Sequence, residues 1–236
     1  METIEKFKVS ELPNSSYNIF LGKRRSGKSV LAEYLLYEMI EENLVDMIFL
    51  FSPTQAGFNI IKDYDFKFDN IEPLFSLLKF YEVANEYNKV VSKGKQIKLR
   101  TVVIIDDFAV SLKSKNFNIL EELAVLGRHK AYKPLSLSFF ILAQSLTKIP
   151  RVCRLNADNI FMNAIASEKE RGMVLDENMY LIDGSRQGKN EGRDLYQSLV
   201  TSEDFVFMVI ENWRQNALTY SDYIKKYKAD VTKLNI

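Results

Sequence analysis

Apolar residues along the chain fall into short unbroken runs and longer stretches where they recur every three or four positions. Tyr17–Leu21, Val45–Phe51, Thr101–Ile105, Leu135–Ala143, Asp158–Asn163 and Phe205–Ile210 are the runs, each short enough to be a buried strand. Between them, Lys28–Glu42 carries Leu31, Leu35 and Met39 beside Val30 and Tyr34, a helical stripe with acids on the opposite side. Further helices are predicted over Glu72–Val91, Asn118–His129 and Ser167–Glu177, with a short closing helix at Ser221–Lys228. Residues 1–16 are polar and read as a leading arm, 54–71 as a loop, and Gly184–Arg193 as an exposed basic loop. Strands alternating with helices in one run predict an α/β fold, a mostly parallel sheet with helices on both faces.

The 236 residues suit one sizeable domain and are too few for two ordinary ones, and neither a repeat nor a linker interrupts them. We therefore expect a single domain over 1–236, with residues 165–236 as its C-terminal extension. A formal net charge of +1 directs the molecule toward neither nucleic acid nor an acidic partner, so any DNA contact must come from a local patch or from assembled subunits. One cysteine, Cys153, excludes an internal disulfide and suits a reducing compartment. No apolar run is long enough to span a membrane and the N-terminus lacks a signal-peptide core, so a soluble protein is expected.

The candidate chemistry sits at the ends of the predicted strands. Gly22-Lys23-Arg24-Arg25-Ser26-Gly27-Lys28-Ser29 fits G-x-x-x-x-G-K-[ST] at every position and lies between a strand and an amphipathic helix. Its glycines allow a tight turn whose N–H groups point at phosphate oxygens, and the following helix adds its positive N-terminal end. Gly22 through Ser29, with Val30 behind them, are the expected nucleotide contacts. Lys28 is expected at the β- and γ-phosphates of ATP, and Ser29 as a Mg²⁺ ligand.

Val102-Val103-Ile104-Ile105-Asp106-Asp107 is an apolar strand ending in two acids, about 80 residues after that loop. Asp106 is the expected Mg²⁺-side carboxylate, and Asp107 stands where a Glu usually polarises the attacking water. Alone, such a pair would merely cap a strand. Gln144 ends the next predicted strand, positioned to sense the γ-phosphate or orient water, or to be a solvated amide. Arg128, then Arg154 and Arg151, are candidates for a transition-state arginine supplied to a neighbouring subunit; each reads equally well as a surface ion pair. His129, the one histidine, has no cysteine or histidine cluster around it and is not a structural metal ligand.

Taken in order, the phosphate loop, Asp106-Asp107, Gly127-Arg128-His129, Gln144 and Ile149-Pro150 through Arg154-Leu155-Asn156 resemble the poxvirus-type genome-packaging ATPases of large DNA viruses and virophages. These belong to the FtsK–HerA branch of P-loop motors. The resemblance spans roughly residues 17–163 and includes Ser52-Pro53-Thr54. It implies a homo-oligomeric ring of five or six subunits that drives double-stranded DNA into a preformed capsid in the host cytoplasm, with a capsid vertex protein as a further partner. On this chain it implies Lys28 and Ser29 at nucleotide and metal, Asp106 and Asp107 at metal and water, Gln144 as sensor and Arg128 acting in trans. Asp-Asp in place of Asp-Glu departs from the wider branch. Gly184–Arg193 and Lys93–Arg100 are the basic segments that could grip DNA phosphates, though each by itself reads more readily as a solvated loop. The alternatives are an ATPase of the same branch driving phage assembly or protein export, a small-molecule kinase, and a nucleotide-gated binding module.

Overall fold

The computed structural model describes residues 4–53, 58–59, 66–106, 117–126, 133–165, 167–178, 186–214 and 219–234; side chains within 117–120, 126 and 186–189 are not described. Its strands are β1 (Tyr17–Leu21), β2 (Met47–Phe51), β3 (Lys67–Phe68), β4 (Leu99–Asp106), β5 (Leu135–Ala143), β6 (Asn159–Met162), β7 (Val206–Glu211) and β8 (Ile224–Lys228). Its helices are α1 (Lys28–Glu41), α2 (Glu72–Val90), α3 (Phe117–Leu126), α4 (Arg151–Leu155), α5 (Glu168–Asn178), α6 (Arg186–Val200) and α7 (Tyr220–Tyr223).

The strands form one sheet in the order β3-β2-β4-β5-β1-β6-β7-β8. Pairings from β3 through β6 are parallel, whereas β7 and β8 join antiparallel. Near-continuous apolar strands are what a sheet covered on both faces requires. Alternate residues divide cleanly between the faces. Ile19, Val103, Ile105, Phe139, Ile141, Ile160 and Met208 enter one core with α2 and parts of α3 to α6. Phe20, Val102, Ile104, Phe140, Phe161 and Phe207 enter the other, beneath α1. There Phe20 and Phe161 stack at 4.5 Å, and Phe7 meets Phe161 edge-on at 5.2 Å.

Four expectations change. The leading arm is not a free polar segment: Phe7 and Val9 are buried, and Phe7 N–H donates to Lys226 O at 2.9 Å, stitching the arm to β8. Most of the 54–71 loop lies outside the described residues, but Lys67–Phe68 adds an edge strand on β2. The closing helix at Ser221–Lys228 is instead one turn, α7, followed by β8. Asp222 closes a capping box with Thr219, and from Ile224 the chain finds open hydrogen-bonding groups on β7. The basic loop at Gly184–Arg193 is helical from Arg186 onward. Gly188 and Gly192 each cost a helix interior about 1 kcal/mol, but Tyr196 and Leu199 dock α6 against the core and offset them.

Candidate functional site

β1 stops at Leu21 and the chain turns under Gly22, whose N–H reaches Ala143 O at 3.4 Å. Lys23 N–H donates to Ala164 O (2.9 Å), so the loop is anchored on the ends of both flanking strands, β5 and β6. The return into α1 needs two left-handed residues, Arg25 at φ 63° and Gly27 at φ 85°. Gly22 has no room for a side chain, because a Cβ there would stand 2.5 Å from Ser26 Oγ. Inside this turn the Lys28 ammonium donates to Gly22 O (2.8 Å) and Lys23 O (3.1 Å). Ser26 Oγ is buried with no hydrogen-bond partner, a polar atom suited to a phosphate oxygen. Lys23, Arg24 and Arg25 stand exposed, while Ser29 and Val30 are half-buried in the first turn of α1. The result is an anion cradle of turned backbone, a helix start and four cations.

Asp106 ends β4, level with Leu142 of β5, whose neighbour Ala143 is level with Leu21. The carboxylate therefore sits on the same sheet edge as the phosphate loop, two strand spacings or about 10 Å across. Gln144 follows Ala143 directly, exposed and between the two. Lys28, Ser29, Asp106 and Gln144 are thus brought to one edge. Asp107 and Arg128, with Gly127 and His129, lie outside the described residues.

Arg154 is a different case. It is 6% exposed and makes a bidentate pair with Glu177 of its own chain, both bonds 2.8 Å, while its third nitrogen reaches Ile149 O at 2.8 Å. It lies on α4, which leads into the start of β6 and so toward the opposite edge of the sheet. The guanidinium is engaged within its own chain, as the ion-pair reading of Arg154 has it. Arg151 is exposed and 3.7 Å from the same Glu177. Cys153 is buried, and burial pushes its thiol up to about 11, far from nucleophilic range.

The basic segment at Lys93–Arg100 also maps to that opposite edge, since it runs into the start of β4; its Arg100 forks onto Asp46 at 2.6 and 2.9 Å. The arginine holds the Asp46 carboxyl below the usual range. Phe205 was legible only as the first residue of an apolar strand. In the structure it lies just before β7, at φ 60° and 52% exposed, with its ring against Gly27. Nothing in its sequence surroundings signals that contact, which joins residues far apart in the chain.

A family model described as Poxvirus A32 protein matches residues 4–187. Among solved structures, the genome packaging NTPase B204 from Sulfolobus turreted icosahedral virus 2, in complex with ATP-gammaS, is similar at a TM-score of 0.57 and 16% identity, covering 92% of this chain and 98% of that one. B204 from Sulfolobus turreted icosahedral virus, described as a DNA-packaging ATPase, gives 0.54 and 16% over the same shares. The pCW3 conjugation coupling protein TcpA with ATPgS gives 0.60 and 15%, over 94% of this chain and 63% of that one. At such identities the structures establish a shared fold. No curated protein matches.

Proposed function

The chain belongs to the Poxvirus A32 protein family, and from that premise we propose that it is an ATP-driven motor that packages double-stranded viral DNA into a preformed capsid. The observation that carries the reading is the family match over 4–187, which contains the phosphate loop and the acid-ended strand that the fold brings to one edge.

In this reading the backbone of Gly22–Ser29 binds the phosphates of ATP, Lys28 moves from the carbonyls it caps to the β- and γ-phosphates, and Ser26 Oγ bonds a phosphate oxygen. Mg²⁺ fits the donors present. Ser29 and Asp106 offer hard oxygens from two elements, and no group of three His, Cys, Asp or Glu among the described residues competes as a metal cage. Such a sparse protein set suits Mg²⁺, which keeps waters and shares phosphate oxygens. Bound there, the ion would neutralise charge developing on the γ-phosphoryl group. Asp107 takes the base role and Gln144 orients the attacking water. Arg128 remains the arginine proposed to act on a neighbouring subunit in a ring of five or six.

A ring motor working on viral DNA would act in the host cytoplasm, with a capsid vertex protein beside it; no helix among the described residues is long and apolar enough to cross a membrane. The test is ATP turnover by the purified chain, with and without long double-stranded DNA, beside Lys28→Ala. A Lys28-dependent rate that DNA raises several-fold supports the motor. Lys28-dependent turnover indifferent to DNA would turn the reading toward protein export or assembly.

A further inference from the structure

Phe205 combines three features that ordinary packing does not require together. Its backbone is left-handed at φ 60°, a conformation that a bulky side chain rarely adopts. The residue is 52% exposed, so burial does not explain the strain. The covered part of the ring lies on the phosphate loop: a Cβ built on Gly27 would meet Phe205 Cδ1 at 2.7 Å and Cε1 at 3.4 Å. Strain held at such a place motivates a functional reading.

The sheet order says which ligand group this ring would meet. The acid-bearing β4 and Gln144 lie on one side of β1, and β6 and β7 lie on the other. A triphosphate seated on the loop with its γ end toward Asp106 must run its nucleoside end over β6 and β7. β7 is antiparallel, with Met208 level with Met162, so its beginning shares the edge where β6 ends. Phe205 stands there, immediately before β7, and past the end of β6 Ala164 O accepts from Lys23 N–H.

Resting on the phosphate-loop reading above, we propose that Phe205 is the nucleobase platform of this site, the base of the bound nucleoside triphosphate stacking on its exposed ring. The left-handed turn is what aims the ring across Gly27 instead of into the core. Stacking uses the flat face that every base presents, so this contact adds affinity without reading the base edge.

The experiment measures binding of ATP and of inorganic tripolyphosphate, each with Mg²⁺, by calorimetry on the full chain. The variants are Phe205→Asn, which removes the ring but tolerates the left-handed backbone, and Phe205→Tyr, which keeps the ring. Thermal melts establish that each is folded. We expect Phe205→Asn to weaken ATP about tenfold while tripolyphosphate stays within about twofold, and Phe205→Tyr to match the wild type. Equal weakening of both ligands would make the ring a prop for the loop and overturn the proposal, as would no change in either. The underlying reading fails separately: wild type would then bind neither ligand, or Lys28→Ala would bind both undiminished.

Discussion

The two edges of the sheet handle charge in opposite ways. At the edge where β1, β4, β5 and β6 end, Lys23, Arg24 and Arg25 stand in solvent and a serine hydroxyl is buried without a partner. At the edge where β1 and β6 begin, buried polar groups are largely tied to one another, although Asn159 Oδ1 and Glu211 Oε1 are buried without a partner among the described residues. Asn18 and Asn159 share a 2.8 Å bond, Asp158 accepts from Tyr17 N–H at 2.8 Å, and Arg154 is clamped on Glu177. Glu211, level with Asn159, accepts from Arg214 at 2.6 Å, and Arg214 also reaches Glu11 in the leading arm. One edge gathers cationic and polar groups around a turned loop. The other uses them to fasten the arm, α5 and β7 to the strands.

The difference is open to attack from both sides. Lys28→Ala should lower ATP turnover by about a hundredfold to a thousandfold, as loss of a preorganised charge at phosphoryl oxygens does, while the melting temperature stays near wild type. Turnover that survives the substitution would end the assignment of this edge. Arg154→Ala should do the reverse. Removing Arg154 leaves the half-buried Glu177 with only the exposed Arg151 at 3.7 Å, so denaturant unfolding should show a loss of about 1–3 kcal/mol, with turnover per folded molecule unchanged. A large drop in turnover without loss of stability would return Arg154 to the catalytic candidates.

Gly27→Ala sharpens the contrast within the phosphate edge. At φ 85° an L-residue is strained by about 1–2 kcal/mol, and the new methyl would displace Phe205. We expect weaker binding of ATP in calorimetry together with a modest fall in melting temperature. The smallest effect belongs to pH. Burial raises the Glu211 carboxyl above its ordinary 4.5, even though Arg214 pulls the other way. A carboxyl raised on folding contributes stability present below the unfolded value and lost as pH rises through the folded one. Unfolding across that window should show a slope that Glu211→Gln flattens, with Glu11 still holding Arg214. An unchanged slope would assign it to other groups.

Reading these edges from the chain alone succeeds unevenly, and the reason is the range of the interactions. The phosphate loop needs a strand, a turn with two glycines and a helix start in immediate succession, so Gly22–Ser29 and its flanking elements are legible locally. Asp106 is legible because an apolar run ending in an acid marks a strand end. The partner of Arg154 is not legible, because Glu177 is 23 residues away on another helix. The helix over Arg186–Val200 was hidden by Gly188 and Gly192, whose unfavourable propensity only docking overcomes.

What the sequence determined by itself is the alternation of strands with helices, the phosphate loop and the acid that faces it, all set by period and by contacts within a few residues. Tertiary structure alone decided that β7 and β8 close the sheet antiparallel, that the leading arm is sewn to β8, that Arg154 is an internal clamp, and that Phe205 crosses Gly27. Each of these depends on pairing segments far apart in the chain, and the free energy of such pairing comes from surfaces that exist only once the sheet has formed.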